Sequence, residues 1–224
     1  MYVEPHFVFK WLHIVAFVYW LGGEWGVFQT SFNVLDTRLT LQERRRHMET
    51  AYRIDILARS GILLLFPIGF EMGATLGAHP YADLVGPVWL FYGCWLALTW
   101  SAFLRRETNL GLLLTRIDER IRYAVIPLLF GLSLWSLVGD GPFTAGWFAA
   151  KVLIYSLLLV IGLALRFVMR HWTTIFRELD RRGPGSAPEL ELRLSREGVL
   201  SRGLAYLYWI GILSVAFIGT VKPF

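Results

Sequence analysis

Two side chains able to ligate a metal stand inside apolar stretches of this sequence. His13 falls within residues 7–32, and Lys151 falls within residues 147–169. An ionisable group in hydrocarbon costs several kcal/mol unless it is paired or hydrated, so each is a candidate for function. A neutral imidazole is the usual protein ligand for iron or copper, and a desolvated amine can expose its lone pair. At about 100° per residue, His6, His13, Trp20 and Glu24 fall within about 40° of one helix face. This polar stripe on an apolar helix should face the interior of a bundle. Tyr155, Gly162 and Arg166 share the face of Lys151 in the same way. Helix bundles place cofactors between facing helices with such side chains. A haem held by His13 and Lys151, against Trp20, Gly23 and Tyr155, is therefore one reading of the pattern.

Plainer readings stand beside it. His13 could bond a neighbouring helix, and Lys151 could snorkel to the headgroups along its apolar stem. Glu24 could pair with Arg59, one turn after Asp55, or carry protons. Glu71 could neutralise Lys151 or carry protons. These two glutamates are the catalytic candidates. Gly22, Gly23 and Gly26 would let a flat ring or a neighbouring helix approach closely. His79 and His171 stand at the ends of apolar stretches, where interfacial histidines need no special role. His47 lies among arginines and should be solvated.

The elements that would position these groups follow from hydropathy. The 224-residue chain is 55% hydrophobic and only 17% charged, which suits an outer surface that meets lipid. A bilayer core of about 30 Å needs roughly 20 apolar residues in a helix. Spans are expected near residues 7–32, 56–76, 88–104, 121–138, 147–169 and 204–221. The fold class is an all-α integral membrane bundle of about six transmembrane helices, forming a single domain. Arginines crowd three connections: 38–53, 105–122 and 177–202. The alternate connections 77–87 and 139–146 hold no Lys or Arg. The positive-inside rule then places the N-terminus and the C-terminus outside and makes 170–203 a cytoplasmic loop. Within it, residues 181–188 form a Gly- and Pro-rich break, while Arg166, Arg170 and Arg177 should carry the fifth helix into the headgroup layer. Arg-led hairpins at 56–104 and 121–169 suggest a weak internal repeat. The net charge of +5 resides in these connections, so nucleic acid is not an expected partner. One cysteine, Cys94, excludes an intramolecular disulfide and any multi-cysteine metal site. The first apolar stretch is too long for a signal peptide and lacks an obvious cleavage site.

Particular residues resemble a known family. Trp11-Leu12-His13-Ile14-Val15 with Tyr19-Trp20-Leu21-Gly22-Gly23 resembles the first helix of the HemJ-type protoporphyrinogen IX oxidases and the related CopD-like membrane proteins. Glu119 to Arg122 with Pro127 and Gly131, then Gly146-Trp147-Phe148-Ala149-Ala150-Lys151, resembles that family's second and third helices. Val221-Lys222-Pro223-Phe224 resembles its ending. The likeness covers helices one, four, five and six. It implies haem b bound by a first-helix histidine and the lysine of the Trp-x-x-x-Lys segment, here His13 and Lys151. The chain departs by an added hairpin, by Asn33 to Asp36 where the family carries a histidine, and by a single His171 in place of a His-rich helix end.

The expectation is a haem b membrane redox protein of the bacterial inner (cytoplasmic) membrane. As an oxidoreductase it would oxidise protoporphyrinogen IX, with quinone as acceptor. Otherwise it would be a cytochrome subunit passing electrons between a partner redox protein and quinone, with a homo-oligomer as another assembly. Copper transport is less favoured, because Met1, Met48, Met72 and Met169 are scattered. A cofactor-free structural subunit is the remaining alternative.

Overall fold

The computed structural model describes residues 4–183 and 187–224. Met1 and the middle of the 181–188 break lie outside them. Six α-helices follow one another: α1 (Pro5–Leu35), α2 (Leu41–Thr75), α3 (Val85–Leu104), α4 (Asn109–Val138), α5 (Gly146–Arg182) and α6 (Pro188–Val221). One turn of 3₁₀-helix, Ala82–Leu84, leads into α3. Consecutive helices pack together, α1 returns to α6, and α2 also touches α5. Helices α2 to α6 are each long and apolar enough to cross a membrane. Helix α1 falls short by the same measure because His13, Glu24 and several glycines dilute its apolar run.

The connections are shorter than the sequence pattern suggests. Residues 41–55, 109–120 and most of 170–203, expected as loops, are helical. Helix α2 alone is 35 residues, or about 52 Å, well beyond a bilayer core. Hydropathy marks where a helix leaves hydrocarbon, not where it ends. The ends are set by local chemistry. Thr40 and Glu43 form a reciprocal capping box at the start of α2. Thr108 accepts from Gly111 N–H at 3.1 Å at the start of α4. Gly183 closes α5 at φ 85°, where a side chain would be strained. Before α2, the Asp36 carboxylate accepts from Arg38, which holds its pKa down at about 2.

The arginine-rich ends form a second core. Val34, Met48, Trp172, Phe176, Leu179 and Leu194 are buried together there. Arg44, in a segment expected as a loop, ties this region. It is 2% exposed, donates to Val34 O at 2.8 Å, and forks onto Glu191 at 2.8 and 2.9 Å. Its guanidinium also lies over the Phe176 ring.

Helices α1 and α2 run antiparallel in close contact. A methyl group built on Gly61 would lie 2.5 Å from Ala16 O and 2.7 Å from Trp20 N, both backbone atoms of α1. One built on Gly23 would lie 2.8 Å from Ala58 Cβ. Small residues therefore set the spacing of this pair. Gly61→Leu should separate the helices and cost about 1–3 kcal/mol or more. Gly22→Ala meets nothing within 4 Å and should leave stability unchanged or slightly raised. Thermal unfolding of both variants in detergent, followed by size-exclusion chromatography, checks this; equal melting temperatures would contradict it.

Candidate functional site

The starts of α1 and α5 and the ends of α2 and α6 meet at the arginine-poor end of the bundle around a cavity of about 530 Å³. That volume lies within the usual range of about 300–1,000 Å³ for small-molecule and cofactor sites. His13 and Lys151 both line it, as do Trp20 and Tyr155. The antiparallel arrangement explains the match in level: α1 and α5 both begin at this end, so residues near their starts lie at similar depth.

The His13 imidazole is mostly enclosed, and its Nδ1 is buried without a hydrogen-bond partner. A buried polar atom left this way is uncommon and calls for a reason. Across from it, Gly69 of α2 is bare; a methyl group there would approach His13 Cε1 to 3.1 Å. Lys151 points toward the last turn of α6, where a methyl group on Gly219 would come within 2.6 Å of Nζ. The C-terminal carbonyls of α6 favour a cation there. Both candidate ligands therefore reach the cavity past a glycine on the facing helix.

Hydrogen bonds to other helices hold the surrounding rings. Trp20 is 1% exposed and donates from Nε1 to Tyr208 Oη of α6 at 3.1 Å. Tyr155 donates to Ile62 O of α2 at 3.0 Å. Phe17, Phe66, Phe70 and Phe148 complete much of the wall. The C-terminal segment closes one side: Trp147 N–H donates to Phe224 O at 3.1 Å, and the Lys222 ammonium lies 5.1 Å from the Trp147 ring centroid.

Gly23 does not line the cavity. It faces Ala58, so its missing side chain serves helix packing. Glu71 does not neutralise Lys151; its Oε2 accepts from Trp89 Nε1 at 2.6 Å. Glu24 lies deeper, in a separate cavity of about 70 Å³ shared with Asp55, Arg59 and Arg166. There Arg59 pairs with Asp55 rather than with Glu24. His79 stands just beyond the end of α2 and is buried. Its Nε2 donates to Phe70 O at 2.9 Å and its Nδ1 accepts from Tyr81 N–H at 3.2 Å, which fixes one neutral tautomer. Burial lowers its pKa accordingly. His171 pairs with Glu197 at 2.6 Å. Among the described residues, no three His, Cys, Asp or Glu side chains converge as a bare-metal site.

Sequence reasoning missed the ionic centre beneath the cavity. Asp118 is 2% exposed and accepts from Trp95 Nε1 of α3 at 2.7 Å. It pairs with Arg122 at 3.2 Å and with Arg166 of α5, while Thr99 lies 3.1 Å from its Oδ1. Glu119 pairs with Arg170. The signal was present as acids set four and three residues before Arg122, but a loop assignment over 105–120 hid it.

Comparison with family models, curated proteins and solved structures finds no match for this chain. Function must therefore be argued from the site.

Asp118→Ala should leave two buried guanidiniums without their carboxylate and cost about 3–5 kcal/mol. The loss should appear as a large fall in melting temperature and in monodisperse yield. A variant that melts like the parent would show that the cluster contributes nothing to stability.

Proposed function

We propose that this chain is a haem b redox protein of the bacterial cytoplasmic membrane, of the kind that HemJ-type protoporphyrinogen IX oxidases represent. In this reading all six helices span the bilayer, both chain ends lie outside, and the arginine-rich core lies in the cytoplasm. The charge asymmetry supports that sidedness: arginines flank one end of the bundle, while the connections at the other end carry none.

One observation carries the cofactor assignment. His13 and Lys151 line the same aromatic-walled cavity from different helices, and no hydrogen bond from the protein ties the buried His13 Nδ1. The residues present suit an iron porphyrin. His13 would supply one nitrogen donor to the iron, and Lys151 would supply a second. Gly69 and Gly219 let the His13 ring and the Lys151 amine pack where a side chain would otherwise stand. Apolar rings provide faces against which a flat macrocycle packs, and they exclude water. Bound there, haem supplies one-electron chemistry, and the protein sets its ligands, dielectric and access.

The chain's own contribution is orientation and insulation. Trp20 and Tyr155 are anchored through Tyr208 and Ile62, so the cavity walls stay fixed. The Asp118 cluster lies below and joins α3, α4 and α5. Glu24 and Tyr208 stand between that inner region and Trp20, in the position a proton would need to occupy between cytoplasm and cavity. Oxidation of a reduced tetrapyrrole with quinone as acceptor is the reaction this reading assigns.

The purified protein should be coloured, with a Soret band and reduced-state bands in an oxidised-minus-reduced spectrum. His13→Ala should lose most of the pigment while keeping the parent elution profile. Lys151→Ala should shift the spectrum or weaken retention. A colourless parent protein that also gives no Soret shift on titration with haemin would overturn the proposal.

A further inference from the structure

Lysines stand in a second tier above the two candidate ligands. Lys10 precedes His13 by three residues on α1, and Lys222 follows Gly219, the residue beside Lys151 Nζ, by three residues at the end of α6. Three residues of helix rise about 4.5 Å. The helices are antiparallel, so both steps lead toward the outer, open end of the cavity. Lys10 and Lys222 are exposed where His13 and Lys151 are half-buried, and all four line the same space.

The lining is one-signed. His6, Lys10, His13, Lys151 and Lys222 face the cavity, and among the described residues no carboxylate does. Glu71, the nearest acid on α2 in sequence, is turned to Trp89. Lys222 is also held in place. It has φ 49°, a left-handed conformation uncommon for a residue with a side chain, and its ammonium rests over Trp147. Cation–π contact engages the ring face and leaves N–H donors for another acceptor. A cavity with apolar aromatic walls, two nitrogen donors within and a cationic rim one turn above matches a flat amphiphile bearing acidic groups on one edge.

We infer that Lys10 and Lys222 form a carboxylate-recognition rim that selects a tetrapyrrole dicarboxylate and fixes which of its edges faces the outer surface. The inference rests on the proposed function and adds to that site the groups that recognise the acid edge of its ligand. Lys10 and Lys222 donate charge-assisted hydrogen bonds to the acid groups, while His13 and Lys151 would hold the iron at the ring's centre.

The test titrates purified protein in nanodiscs with haemin and, separately, with its dimethyl ester, following the Soret band. Parent protein should bind the free acid more tightly than the ester. In the Lys10→Ala/Lys222→Ala double variant the acid-to-ester affinity ratio should fall roughly tenfold. The ratio cancels differences in partitioning of the two pigments into lipid. Lys10→Arg/Lys222→Arg should restore it, which separates charge from any effect on folding. An unchanged ratio in the alanine variant, as expected if these lysines hold only lipid phosphates, would overturn the inference and leave haem binding intact. No Soret shift with either pigment in the parent protein would overturn the proposed function and this inference together.

Discussion

Asp118 lies where α3, α4 and α5 meet, and its two oxygens are fully engaged by Trp95, Arg122 and Arg166, with Thr99 alongside. In surroundings that hold little water, a charge must find its opposite or stay neutral, because desolvation outweighs most other terms. That constraint divides the molecule. Toward the arginine-rich end, charges occur in matched groups: Asp118 with Arg122 and Arg166, Asp55 with Arg59, Glu119 with Arg170. Toward the other end, bases line an open space that no carboxylate among the described residues faces. The first arrangement gives every one of these charges an opposite partner and fixes helix positions.

The two halves are connected through the helices that carry both. Helix α1 presents His13 and Trp20 to the upper cavity and Glu24 to the lower one. Helix α5 presents Lys151 and Tyr155 above and Arg166 below. Close contact of α1 with α2 through Gly61, Ala16, Gly23 and Ala58 sets where His13 stands relative to the wall opposite. Any sideways shift of that pair would change the cavity and the buried ion pairs together.

Much of this was legible in the chain. Periodicity placed His13, Trp20 and Glu24 on one interior face, and alternation of arginines implied that α1 and α5 start at the same end. His13 and Lys151 share a cavity for that reason. Other features were not legible, for physical causes. Arginine counts as a charge in hydropathy, so helical extensions such as 41–55 read as loops, and Arg44 gave no sign of being buried. Gly23 met two demands that sequence cannot separate, a flat ligand or a neighbouring Ala58. Glu71 was a possible partner for Lys151 until Trp89, 18 residues away, claimed it. Such choices depend on which side chains meet in space, and the sequence holds no direct record of that.

Pro67 stands buried inside the C-terminal half of α2, where its ring removes one rung of the helix ladder. Tyr155 hydrogen-bonds to the carbonyl of Ile62, little more than one turn earlier. A weakened stretch of helix is thus braced from α5, at the wall that faces His13. The brace keeps the chamber shaped in advance of any guest, so a guest would not have to spend its binding energy on ordering the wall. A receptacle built this way favours rigid, planar visitors over flexible chains of the same volume, because the visitor too has little freedom to lose.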